Sequence, residues 1–180
     1  MIKLKGPLVF ITGNLNKLEW TKKYIHVPMI HKKLDLTEIQ SLDARQVTEH
    51  KIKEAYKILG KPVMVEDTSL VFHALGKLPG PFIKYFLEEI GNEGMCRMLT
   101  TDRSATAIVT FAIYDGKSVY FGEQQLKGSI ADKPRGEGGF GWDHIFIPTG
   151  ATKTYAEMTE KEMFKFSLRR LALEKLKKII

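Results

Sequence analysis

With 180 residues and 43% hydrophobic content, the chain can bury about 70% of its unfolded surface in one core, so a single domain over residues 1–180 is expected. The only cysteine, Cys96, excludes an intrachain disulfide, and the longest apolar run near the start, Leu8-Val9-Phe10-Ile11, is too short for a signal core or a membrane span; a soluble, cytoplasmic protein without a membrane partner is expected. A net charge of +7 invites an anionic partner, yet the lysines fall in scattered pairs (Lys22-Lys23, Lys32-Lys33, Lys177-Lys178) with no basic stripe or interleaved aromatics, which argues against nucleic acid.

Leu8-Val9-Phe10-Ile11 reads as a buried strand, and Thr12-Gly13-Asn14 as the turn after it, with Asn14 placed to cap a helix carrying Lys17 and Glu19. Strand, glycine turn and helix with an early lysine is an arrangement that binds phosphate. One glycine and no G-K-[ST] ending exclude a Walker A loop. Residues 29–36 alternate loosely and read as a second strand running into Asp35-Leu36-Thr37-Glu38. Residues 43–59 read as a helix capped by Asp43 and closed by Gly60, with Val47, Ile52, Ala55, Tyr56 and Leu59 facing inward.

Pro62-Val63-Met64-Val65 is a short run rich in strand formers that ends in Glu66-Asp67. Acids at the carboxyl end of a strand in an open α/β sheet stand where a metal ion or an activated water is held; a solvated Glu-Asp turn is the plainer alternative. Leu78-Pro79-Gly80-Pro81 follows as a stiff loop, with Pro81 suited to the first turn of a helix and Lys84 one turn in. Together these features suit a metal-bound polyphosphate.

Residues 91–99 read as a helix in which Cys96 serves packing, since no second cysteine or adjacent base would activate it. Residues 104–114 and 119–130 are β-prone runs joined around Asp115-Gly116, a hairpin signal. Gly136-Glu137-Gly138-Gly139-Phe140-Gly141 contains a formal G-x-G-x-x-G, but 142–148 reads as a strand where a dinucleotide fingerprint needs a helix. A glycine loop presenting one ring suits a nucleobase, with Phe140 stacking and Asp143 discriminating. His144 lacks a spaced histidine partner and reads as structural. Thr159-Glu160-Lys161-Glu162 is a capping box that opens a final helix.

Several of these stretches resemble the inosine triphosphate pyrophosphatase family, enzymes that cleave nucleoside triphosphates with deaminated purines to monophosphate and diphosphate. The matching motifs are T-G-N-x-x-K, D-L-x-E, V-E-D-T-S-L with A-L-G-K-L-P-G-P and I-K-Y-F, G-G-F-G-W-D, and T-Y-A-E-M, spread over nearly the whole chain. The resemblance implies an elongated two-lobed α/β fold with a central twisted mixed sheet flanked by helices, the nucleotide in a cleft between lobes, Mg²⁺ as cofactor and a homodimer. It also implies roles by position: Thr12, Asn14, Lys17 and Lys84 on the triphosphate; Glu38 and Asp67 on the metal and the attacking water, with Lys17 and Glu66 in support; and Phe140, Gly141, Trp142, Asp143, Ser167 and Arg169 around the base. The chain departs from the family pattern at Trp20, where an acidic residue is usual, at His144, where proline is usual, and in the final helix. There Met163, Phe164 and Leu168 stand where lysine, asparagine and histidine are usual. Weak base selectivity, partly restored by Leu168→His, is therefore expected, against the alternative that Leu168 lies in a core stripe with Phe164, Leu171, Ala172 and Leu176. A nucleotide-binding protein that has lost catalysis is the rival reading, and retention of Lys17, Glu38 and Asp67 favours an enzyme.

Overall fold

Four consecutive apolar residues, Leu8–Ile11, form β1 and are buried along their whole length, because neighbouring strands and covered faces leave no side in water. The computed structural model describes residue 4 and residues 6–180. After β1 come α1 (Leu15–Lys22), β2 (Met29–Lys32), α2 (Ala44–Leu59), β3 (Val63–Phe72), β4 (Pro79–Gly80), α3 (Ile83–Met98), β5 (Ser104–Tyr114), β6 (Val119–Ile130), β7 (Phe146–Pro148), α4 (Glu160–Phe166) and α5 (Leu168–Lys177). Among the described residues, seven strands make one sheet in the order β2-β1-β3-β5-β6-β7, with β4 on β3. β1 runs parallel to β2 and β3, whereas β4 on β3 and β7 on β6 are antiparallel, so the sheet is mixed as expected.

The chain divides into two units. The first comprises Met1–Asp67, Val109–Gln124 and Arg169–Ile180, and the second Thr68–Ile108 and Gln125–Leu168. In the first, Val9, Ile11, Ile52, Ala55, Val63, Val65 and Ala112 form one buried cluster, with Tyr56 and Leu59 packed against it. Alternation in β1 sends Leu8 and Phe10 the other way, where Phe10 meets Phe111 at 6.5 Å between ring centroids. Each such large apolar side chain contributes about 1.5–3 kcal/mol on burial. The helix α2 has the boundaries its caps dictate: Asp43 accepts from the Arg45 and Gln46 amides, and Gly60 takes the left-handed conformation at φ 61°. In the second unit Trp142, Phe146 and Tyr155 pack ring on ring at 5.4–6.2 Å. Arg103 there ties together the carbonyls of Cys96, Leu99, Ile130 and Ala131, and Cys96 is buried with its thiol pushed up by burial, in keeping with a packing role.

Five expectations are corrected. β2 stops at Lys32 because β1, its only partner among the described residues, ends at Ile11, the residue opposite Lys32; residues 33–42 are coil, so Asp35 and Glu38 do not end a strand. β3 runs on through Glu66 and Asp67 to Phe72, since it gains β4 as a partner along residues 70–71. The acids still mark an end, because the β1 ladder stops at Ile11–Val65 and they come next. The helix expected over 91–99 begins at Ile83 and bends at Gly91 (φ 64°), with Pro81 ahead of its N-cap, Phe82. A 3-10 turn, Gly141–His144, replaces the first half of the strand expected over 142–148. The final helix breaks at Ser167 into α4 and α5, Ser167 having an extended ψ of 102°.

Candidate active site

The first unit gathers six charged side chains into two trios through the neighbours Glu66 and Asp67. Lys17, in the first turn of α1, lies 3.3 Å from Glu66 Oε1, and the Arg169 Nε at the start of α5 donates to the same oxygen at 2.8 Å. Glu66 is 1% exposed, and a carboxylate that deep persists as an ion only with such partners. This trio carries one positive charge in excess. Thr12 shapes the approach: its Oγ1 accepts from the Asn14 amide at 3.0 Å, and its carbonyl accepts from His31 Nε2 at 2.6 Å.

The second trio is the inverse. Lys51, from α2, donates to Asp67 Oδ1 at 3.3 Å and lies 2.8 Å from Glu38 Oε1, so one ammonium joins the two carboxylates expected to share a metal. Here one negative charge is in excess. Burial pushes the Asp67 carboxyl up, with Lys51 and Lys17 opposing. Burial acts to lower Lys51, but Asp67 and Glu38 outweigh it and hold its ammonium above the ordinary value. The residues fit a divalent cation in one respect on view: both carboxylates already reach a common positive charge. Among the described residues no group of three or more His, Cys, Asp or Glu gathers as a metal centre, here or elsewhere.

Lys51 is the member of this charge cluster that sequence reasoning missed. A signal existed, because 47, 51 and 55 fall on one helical face, Val47 and Ala55 are buried, and the Lys51 side chain is 14% exposed. A lysine within an apolar stripe asks for a buried partner. Arg169, expected at the base, instead shares Glu66 with Lys17.

The expected base-binding residues belong mostly to the second unit. Phe140 is 41% exposed, whereas Trp142 is buried against Phe146 and Tyr155. Asp143 is buried and accepts from the Phe140 amide at 2.9 Å, so part of its work is to set the loop. The glycines are required: at Gly139 (φ 70°) a Cβ would stand 2.6 Å from Asp143 Oδ2, and at Gly136 (φ 87°) 2.4 Å from the Ala156 backbone. Gly138 N donates to Ala156 O, Thr154 Oγ1 to Arg135 O, and Asn92 Nδ2 to Gly141 O. The T-Y-A-E-M segment is thus the scaffold of the glycine loop. His144 donates from Nδ1 to Gly136 O at 3.1 Å, the structural role expected of it. Lys84 is exposed, 3.9 Å from Glu88 and beside the Tyr85 ring. Ser167 and Leu168 are buried, Leu168 to 4% exposure, which favours the core reading over a base-facing one.

A model of the Ham1 family matches residues 8–179. The inosine triphosphate pyrophosphatase of Yarrowia lipolytica is 45% identical over 177 residues, covering 94% of this chain and 93% of that protein. Inosine triphosphate pyrophosphatase 2 of Trypanosoma cruzi is 41% identical over 177 residues, with 94% and 90% covered. Among solved structures, the Ham1 protein of Staphylococcus aureus superposes with a TM-score of 0.76 at 25% identity, covering 96% of this chain and 97% of that one. A HAM1 protein from Coxiella burnetii, 24% identical, has the same fold at a TM-score of 0.84 over 96% of this chain and 97% of its own.

Proposed function

Because the chain belongs to the Ham1 family, we propose that it is a nucleoside triphosphate pyrophosphatase acting on inosine triphosphate and related non-standard purine nucleotides, releasing nucleoside monophosphate and diphosphate. The observation that carries the reading is the pair of adjacent trios: Lys17–Glu66–Arg169 with a cation in excess suits an anionic phosphate chain, and Glu38–Lys51–Asp67 with an anion in excess suits a metal.

Thr12, Asn14 and the N-terminus of α1 hold phosphate oxygens, with Lys17 and Arg169 supplying charge; Lys84 adds a further cation. Glu38 and Asp67 hold Mg²⁺, which when bound neutralises the triphosphate. Asp67 takes a proton from a water whose oxygen bonds to the α-phosphorus as the bond to the α–β bridging oxygen breaks, and diphosphate leaves. Phe140 stacks on the base, Asp143 meets its edge, and Gly141, Trp142 and Ser167 shape that wall.

We also propose a cytoplasmic homodimer, for which the exposed Tyr85, Ile90 and Met98 of α3 offer apolar surface. The deciding experiment is anion-exchange separation of products after incubation with mixed inosine, xanthosine, adenosine and guanosine triphosphates and Mg²⁺. Diphosphate and monophosphate support the reading. Orthophosphate with nucleoside diphosphate overturns it, and binding without turnover favours the impaired nucleotide binder.

A further inference from the structure

The Lys51 ammonium bridges both carboxylates of the second trio, 2.8 Å from Glu38 Oε1 and 3.3 Å from Asp67 Oδ1. We propose that Lys51 is a built-in competitor for the divalent cation: in the free enzyme its ammonium sits between Glu38 and Asp67, and a metal binds there only by expelling it. The inference rests on the metal assignment above.

The geometry favours competition over joint occupancy. Mg²⁺ needs carboxylate oxygens at about 2.0–2.1 Å, so the two acids must close on the ion at distances shorter than those at which Lys51 now holds them. An ammonium left in the same gap would face a doubly charged ion at close range. Lysine suits displacement, being a compact, strongly hydrated charge on a flexible stem.

A plain structural role would be that Lys51 keeps two repelling carboxylates from drifting apart. The carboxylates, however, are held without it. Asp67 lies within β3. The coil bearing Glu38 is pinned one residue earlier, where the Thr37 amide donates to Glu54 Oε2 at 2.9 Å and Thr37 Oγ1 to Glu54 Oε1 at 3.2 Å. Glu54 is on α2, whose Ile52 and Ala55 are fully buried, so this anchor does not depend on Lys51. Removing the lysine charge therefore leaves the acids in place and the gap more negative.

The two roles predict opposite signs. Mn²⁺ binding to the full chain without nucleotide would be followed by electron paramagnetic resonance of the free ion, and Mg²⁺ binding by calorimetry. Lys51→Met and Lys51→Gln are expected to bind Mn²⁺ at least about tenfold more tightly than wild type, while Lys51→Arg, which keeps a cation in the gap, stays at the wild-type value. Asp67→Asn should lose binding whether or not Lys51 is present. Folding is checked by circular dichroism, and Lys51→Gln stands in should Lys51→Met fail to fold. Unchanged or weaker Mn²⁺ binding in the Lys51 variants, with Asp67→Asn still abolishing it, overturns the competitor and leaves the metal assignment standing. Binding that survives Asp67→Asn overturns the metal assignment itself.

Discussion

The ion trios of the first unit and the glycine loop of the second solve different problems with different materials. Around Glu66 and Asp67 every expected participant is a charged side chain already engaged with another, brought together from α1, α2, α5 and the coil at residues 33–42. The loop at residues 136–141 is set by backbone: positive-φ glycines, carbonyls of Ala156 and Gly141 accepting hydrogen bonds, and one exposed ring. A charge cluster that neutralises itself must exchange partners when substrate and metal arrive, whereas a loop shaped by backbone is ready beforehand. Chemistry should therefore be sensitive to single charges, and base contact to shape.

The sharpest way to break that contrast is Asp67→Asn, which keeps the side-chain shape and removes one charge. Turnover should fall at least about 10²-fold, the low end for losing a general base. Steady-state diphosphate release within a few-fold of wild type would remove Asp67 from the chemistry. Lys17→Ala should weaken substrate by about 1.5–3 kcal/mol, as for a lost charged hydrogen bond, and by the same amount for inosine and adenosine triphosphates. Unequal losses in kcat/KM would move Lys17 from the phosphates to the base.

In the second unit the expectations concern packing. Leu168→His was expected from the motif alone to restore inosine preference; with the side chain buried, it should instead destabilise the fold by about 1–3 kcal/mol, for a polar ring placed among apolar neighbours, and leave selectivity unchanged. Urea unfolding beside a triphosphate panel reads both, and a gain in inosine preference without loss of stability would put residue 168 back at the base. The smallest effect concerns the capping box of α4. The Lys153 ammonium, with the Thr159 amide and hydroxyl, holds Glu162 down at about 2. A carboxyl depressed in the folded state stabilises above its unfolded value and loses that contribution as pH falls from 4.5 toward about 2. Glu162→Gln should flatten the acid limb of the melting temperature in that window and lower the melting temperature slightly at neutral pH, where the contribution is fully present. An unaltered acid limb would show that the box contributes nothing.

Elements whose signals are local were legible before any coordinates. Asp43 and Gly60 bounded α2, Asp115-Gly116 joined β5 to β6, and Thr159 with Glu162 opened α4, because each depends on contacts within a few residues. The motifs likewise singled out Lys17, Glu38 and Asp67, which the structure places in two ion clusters joined through the neighbours Glu66 and Asp67. Where elements stop was decided elsewhere in the chain: β2 ends because β1 ends, and β3 outlasts its acids because β4 pairs beyond them. Only the tertiary structure decided which charge faces which. Arg169 meets Glu66 across 103 positions of sequence and Lys51 meets Asp67 across 16, and an ion pair leaves no periodic trace in either segment. The pattern of a helix says that Lys51 lies on the inward face; what waits there for it is fixed by a strand and a coil that the helix cannot foresee.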